Sequence, residues 1–311
     1  MTELRNRPLF TSTFENPGSF RPVDDSAYVF GLFEERSEHI QSWTSSCPSV
    51  HFVKITSQGR TSIETDAQGL GSLSLRNQSD LSRLFDHVRK KRIYLDITGL
   101  SHHVWAPLVR VALDKNLDLN VVYVEPANYS YSPSPRKGEI FDLSESIDGI
   151  APIPLFATLN DTDEERVCFI ALLGFEGTRF AYLVEQIDPP GGKIVPVIGV
   201  PGFQLEYPFH AYMGNQPALE QTRAWRNVHF ARANCPFSLY YVLEDIMRRY
   251  SSDHIKIAPI GTKPHALGAV LLAITTTTRS IELVYDHPKR KPKRTTGALR
   301  LLVYAVSDFV R

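Results

Sequence analysis

Cysteine is scarce in this chain, and so is any imbalance of charge. The three cysteines, Cys47, Cys168 and Cys235, are an odd number with no paired spacing, which argues against a disulfide framework or a zinc site and points to reduced thiols. Lysine plus arginine equals aspartate plus glutamate at 34 each. No global field therefore draws the protein toward nucleic acid or anionic lipid, and a charge-driven partner has to meet a local patch. Long apolar runs are missing as well: no stretch approaches the roughly 18 residues that a membrane helix needs. The N-terminal MTELRNRPLFTSTFENPGSF lacks the apolar core of a secretory signal. The expectation is a cytoplasmic protein with no membrane partner. The dinucleotide fingerprint G-x-G-x-x-G, the nucleophile elbow G-x-S-x-G and the zinc motif H-E-x-x-H are all absent, so neither a cofactor nor a metal is called for.

What the chain does contain is a length of 311 residues and 42% hydrophobic content, enough for a sizeable core and better suited to two domains than to one. A shift of 162 positions, without a gap, lays residues 93–126 over residues 255–288. Six of the 34 pairs are identical, among them Gly99 with Gly261 and His103 with His265. More telling than identity is the order of elements. Each copy has an apolar strand (IYLDI, IKIAPI), a glycine, three polar or turn-forming residues, a helix and a second strand (LNVVYV, IELVYD). Strands alternating with helical patterns make βαβ units on a parallel sheet. An earlier pair, Phe33-Glu34 and Phe175-Glu176, follows a strand and precedes a helix in each half. The fold class expected is therefore α/β, two tandem Rossmann-like parallel-sheet modules related by internal duplication, with the boundary near residue 155 (1–155 and 156–311). NYSYSPSPRKGE and LNDTDEER bracket a stretch too rich in proline, serine and acid to be core. A helix capped by Ser79 carries Leu81, Leu84, Phe85 and Val88 on one face. Residues 201–217 read as an irregular excursion before helical segments near 217–232 and 236–250.

In open parallel sheets, ligands bind beyond the carboxyl ends of the strands, where helix N-termini favour anions. That rule selects Glu34, Thr98, Gly99, Ser101, His102 and His103 in the first half, and Glu176, Gly177, Thr178, Arg179, Gly261, Thr262, Lys263 and His265 in the second. GTKPH (261–265) combines a permissive glycine, a hydroxyl, a cation and a histidine at a helix start; it reads either as a phosphate cradle or as an ordinary N-cap. Arg179 offers a fixed fork of donors for a phosphate, and Glu176 an acceptor for a sugar hydroxyl. Glu34, Glu176, His103 and His265 are the candidates for acid–base work. Lys289, Arg290, Lys291, Lys293 and Arg294 crowd one loop, which suggests contact with phosphates of a nucleotide or nucleic acid, although such runs are usually solvated loops.

The strand ending D-I-T-G at 96–99, before a polar turn and a helix, resembles the ligand motif of CRISPR-associated Rossmann-fold (CARF) sensors. Two such units in one chain look like the related SAVED sensors of bacterial antiviral systems. The resemblance implies recognition of an oligonucleotide second messenger between the two units. It places Thr98, Gly99 and Ser101, and by repeat Gly261, Thr262 and Lys263, at the ligand. The functional expectation is a nucleotide-binding sensor or regulatory subunit with a partner protein chain or a homo-oligomer. The alternatives are a nucleotide-cleaving hydrolase that uses the same cleft, and an interaction scaffold whose anchors are Phe203, Tyr207, Phe209 and Tyr212.

Overall fold

The computed structural model describes residues 10–136, 138–158, 166–251, 253–279 and 281–311. The chain divides into two compact units, Met1–Ala127 with Thr296–Arg311, and Asn128–Thr295. The first crossing thus falls ahead of residue 155, and the C-terminal residues return to the first unit.

The first unit runs β1 (Thr11–Phe14), β2 (Ala27–Phe30), α1 (Ile40–Ser46), β3 (His51–Gln58), β4 (Ser62–Thr65), β5 (Leu73–Ser74), α2 (Gln78–Val88), β6 (Arg92–Asp96), α3 (His102–Asp114) and β7 (Asp118–Tyr129). The second runs β8 (Tyr131–Arg136), β9 (Glu139–Phe141), β10 (Ser144–Ile147), β11 (Ala151–Pro152), β12 (Val167–Leu172), α4 (Gly177–Ile187), β13 (Ile194–Gly199), α5 (Tyr207–Thr222), β14 (His229–Ala231), α6 (Pro236–Arg249), β15 (His254–Pro259), α7 (Lys263–Thr275), β16 (Ile281–Tyr285) and β17 (Pro288–Arg290). The chain ends in β18 (Thr295–Ala305) and α8 (Val306–Val310).

The first unit's sheet has the order β1-β18-β7-β6-β2-β3-β4-β5, and the second unit's the order β11-β16-β15-β12-β13-β14. Within them β7-β6-β2-β3 and β16-β15-β12-β13 are parallel throughout. The two runs place their strands in the same chain order, as two copies of one α/β unit do. The register agrees to the residue: Ile93 faces Leu119 on β6 and β7, and Ile255 faces Ile281 on β15 and β16, both pairs related by the shift of 162. The strands VCFIAL of β12 and AYVF of β2 are buried at every position, the pattern of a parallel sheet covered on both faces. Helix α7 is buried at all but its last two residues; it is apolar all round because it lies inside its unit. In the first unit Phe20, Tyr28, Trp43, Tyr94, Val122 and Leu301 join one core; in the second Phe169, Phe180, Leu183, Ile198, Leu219 and Ile260 do so.

Three expectations are corrected. Helix α2 is capped by Asn77, whose side chain accepts from the Ser79 and Asp80 amides, so the cap lies two residues ahead of Ser79. Residues 207–217, expected as irregular, are the first eleven residues of α5. Pro208 sits in its first turn, where a missing N–H costs nothing. The segment read as a link between halves is a β8–β9 hairpin inside the second unit, while most of LNDTDEER lies outside the described residues. No helix among the described residues is long and apolar enough to cross a membrane.

Candidate functional site

At the carboxyl ends of the central strands, the repeated glycines bring loops together. A Cβ on Gly99 would collide with the Gly31 carbonyl beyond β2, and one on Gly261 would stand 2.6 Å from the Leu173 carbonyl beyond β12. Both glycines are therefore required by close backbone approach within their own units. Gly177 has the same role between helices, since its Cβ would strike the Gly214 carbonyl of α5.

The polar candidates around these turns are tied into the fold. The Thr98 hydroxyl accepts from the Val124 amide at 2.9 Å, and the Thr98 amide donates to Asp96 at 2.8 Å. Tyr28 donates to the same buried Asp96 carboxylate at 2.9 Å. The Ser101 amide, which an anion at the α3 N-terminus would need, donates instead to the Gln58 side chain at 2.7 Å. His103 Nε2 lies 3.2 Å from the Gly59 carbonyl and donates to it. His102 is buried against Trp105, ring centroids 5.4 Å apart. In the second unit Thr262 caps α7, accepting from the His265 amide and donating to the Ala233 carbonyl at 2.7 Å. His265 is fully buried, with Nε2 3.0 Å from the Arg232 carbonyl. Burial pushes its pKa down to about 4 against smaller opposing effects of hydrogen bonds to Arg232 and Ala231, so the imidazole is neutral at physiological pH. Lys263 is buried as well.

The glutamates repeat a structural device. Glu34 pairs with Arg36, which also donates to the Val124 carbonyl on β7. Glu176 accepts from the Leu143 amide and the Ser144 hydroxyl, both at 2.9 Å, and lies 3.8 Å from Arg179. Arg179 in turn grips Asp286 with two bonds of 2.6 and 2.7 Å, and donates to the Ile260 carbonyl. Residues 124 and 286 are equivalent under the shift of 162. In each unit an arginine just after the glutamate pins the first crossover to the same aligned position, within β7 in the first unit and just past the end of β16 in the second. Burial alone would lower the Arg179 pKa; the Asp286 charge and hydrogen bonds outweigh it and raise the pKa above its ordinary value. The guanidinium is permanently charged and already satisfied in bidentate fashion.

A cavity of about 460 Å³ opens in the second unit beside the start of α4, lined in part by Ser132, Phe141, Asp142, Ser144, Glu176 and Thr178. Its wall also carries Glu139, Glu145 and Arg179, so four carboxylates face one guanidinium. The basic segment forms the other side of this neighbourhood. Strand β17 pairs with β10, Lys289 binds Glu145 at 2.7 Å, and Lys291 binds Asp142. Residues 293 and 294 turn toward β8, where Ser130 bonds the Lys293 and Arg294 carbonyls at 3.0 and 2.9 Å.

One feature of this region is not evident from the sequence. Tyr131 and Phe141 are directly opposed on the β8–β9 hairpin and stack at 4.8 Å and 21°. Phe141 stacks in turn on Phe175 at 4.3 Å and 21°, a three-ring ladder whose outermost ring, Tyr131, is 57% exposed. Tyr129 packs edge-on against the inner rings. The available signal is the alternation of Tyr129 and Tyr131 across the β7–β8 junction, a two-residue period that puts both on one side of an extended chain.

Cys235 caps α6, its sulfur accepting from the Ser238 amide at 3.4 Å, and burial pushes the Cys168 thiol up to about 12. Among the described residues no three His, Cys, Asp or Glu side chains gather as metal ligands do.

Fold and site together define a tandem Rossmann-like α/β protein with an aromatic and charged surface in its second unit. No family model matches the chain, and no curated protein matches it in sequence. Among solved structures it is similar to an N-terminal ketoreductase from a macrolactin assembly line, at 10% identity and a TM-score of 0.23, over 87% of this chain and 71% of that one. A likeness of that degree carries no inference about fold or chemistry.

Proposed function

We propose that this chain is a binding or regulatory protein for a nucleotide-type ligand, and that the ligand is received on the β8–β9 face of the second unit. The observation that supports this reading is the ladder of Tyr131, Phe141 and Phe175, with its outer ring open to solvent, beside a segment of five cations within residues 289–294. A planar base stacks on an open aromatic ring, and cations at the rim receive phosphate. The turns at 98–101 and 261–263 serve the fold in this reading, because the Thr98 and Thr262 hydroxyls are engaged with the Val124 amide and the Ala233 carbonyl, and the Thr98 and Ser101 amides with the Asp96 and Gln58 side chains.

Titration of the full chain with mononucleotides, cyclic oligonucleotides and short single strands, read by calorimetry or thermal shift, tests it. Tyr131→Ala is expected to weaken binding about tenfold, from a stacking contribution of about 1–3 kcal/mol, whereas Lys263→Ala leaves affinity unchanged. Absence of any phosphorylated ligand, or binding lost in Lys263→Ala and kept in Tyr131→Ala, overturns the reading.

A second reading, a subunit that docks another protein chain, is favoured by helix α5. Tyr207, Ala211, Gly214, Asn215 and Ala218 form its buried side. Leu205, just ahead of the helix, is 87% exposed; Phe209 is 70% exposed, and Tyr212 and Met213 are also open. The spacing 209, 212, 213 is one helical stripe, and Leu205 adds to it from just ahead of the helix. Contiguous apolar surface of this kind marks interaction sites. Phe203 and Tyr207, named with Phe209 and Tyr212 as anchors, are buried. Sedimentation of the wild type against Phe209→Ser/Tyr212→Ser first tests a second copy as the occupant; identical, purely monomeric behaviour of both removes that occupant.

A further inference from the structure

Resting on the nucleotide reading above, we infer that the ligand of the β8–β9 face is a single-stranded nucleic acid rather than a free nucleotide. The ladder offers one open face only. The inner side of Tyr131 is covered by Phe141, and Phe141 by Phe175, while His210 meets Tyr131 edge-on; among the described residues no second ring stacks on Tyr131 to sandwich a lone base, and one stacked base falls far short of micromolar affinity. The cations are distributed rather than converging on one point. The backbone of Lys289 pairs with β10, and the Lys293 and Arg294 carbonyls are held by Ser130 just ahead of β8, so the residues that carry these cations are spread along the segment. One phosphate group meets one or two of them, whereas a strand with a phosphate at every nucleotide meets them in series.

The pair of Lys289 with Glu145 is solvent-exposed and contributes little, so phosphate can displace it; the pair of Lys291 with Asp142 is half-buried. The acidic cavity wall has the complementary effect. Glu139, Asp142, Glu145 and Glu176 repel the dense charge of a triphosphate tail, yet carboxylates accept hydrogen bonds from the ring and exocyclic N–H groups of unpaired bases, including the ring N–H of thymine and uracil. Bases held inside a duplex are unavailable to the ladder, which selects for single strands.

The test is fluorescence anisotropy of the full chain with labelled oligo-dT and oligo-U, against the corresponding mononucleotides and a duplex, over a salt series. Strands are expected to bind at least 100-fold tighter than mononucleotides and more tightly than duplex. At about −0.7 per phosphate in log affinity against log salt, the slope should be steeper than about −2. Lys293→Ala/Arg294→Ala should make it shallower by about 1.4. Tyr131→Ala should weaken binding about tenfold with the slope unchanged, and Tyr131→Phe should restore it. Circular dichroism of each variant checks that the fold is kept. Mononucleotides binding as tightly as strands would leave the nucleotide reading standing and overturn this inference. Duplex binding as tightly as strands overturns it too, and no binding by any arm removes both.

Discussion

Replacing Arg179 by leucine separates two roles that the same side chain could have. Asp286 is fully buried, and the Arg179 side chain is 11% exposed. The two bonds of 2.6 and 2.7 Å between them are the bidentate geometry in which a guanidinium offsets the desolvation of a carboxylate. Taking the arginine away leaves a buried charge without its partner, a change that costs about 3–5 kcal/mol. The Ile260 carbonyl loses a donor as well. Urea unfolding followed by far-UV circular dichroism should show the second unit destabilised by that amount, or by about 6–20 °C in Tm at about 2–4 °C per kcal/mol for a unit of this size. Arg179→Leu/Asp286→Leu should recover much of the loss, because it removes both charges together. An arginine held for a ligand would behave in the opposite way, leaving stability nearly unchanged and abolishing binding. A loss below about 1 kcal/mol in Arg179→Leu would refute the structural assignment of the pair.

Gly99→Ala should destabilise the first unit by about 1–3 kcal/mol through overpacking against the Gly31 carbonyl, and Gly261→Ala the second by a similar or smaller amount; equilibrium unfolding of each variant checks this. Stability should depend on pH through His265. Its pKa falls from 6.5 unfolded to about 4 folded, so the unfolded chain binds the extra proton, and stability present above pH 6.5 is lost as pH falls toward 4. The size is about 3 kcal/mol, from 1.36 kcal/mol per pKa unit, and a pH series of unfolding midpoints should flatten over that window in a variant lacking the imidazole. Gln58→Ala should cost about 1 kcal/mol by leaving the Ser101 amide without its acceptor, measurable as a shift in the denaturation midpoint.

Much of the architecture was legible because parallel strands covered on both faces are written as unbroken apolar runs, as in VCFIAL and AYVF. The matched glycines and the Phe-Glu pairs were also legible, and each proved to mark the same place in both units. Their purpose was not. A glycine reads the same in sequence whether a phosphate or a carbonyl approaches it, and only the position of Gly31 or Leu173 distinguishes the two. The start of α5 was hidden by Pro208 and Pro217, since proline signals a break unless its place in the helix is known.

The order of strands and helices, the duplicated βαβ unit and the positions of its turns followed from periodicity and turn chemistry, which are local properties of neighbouring residues. Tertiary structure alone decided that β18 returns to the first sheet between β1 and β7, and that Arg179 belongs to Asp286, 107 residues away. It also decided that Tyr131, Phe141 and Phe175 form one ladder. Each of these joins residues far apart in the chain, and long-range pairing depends on which surfaces remain to be buried once the local elements have formed.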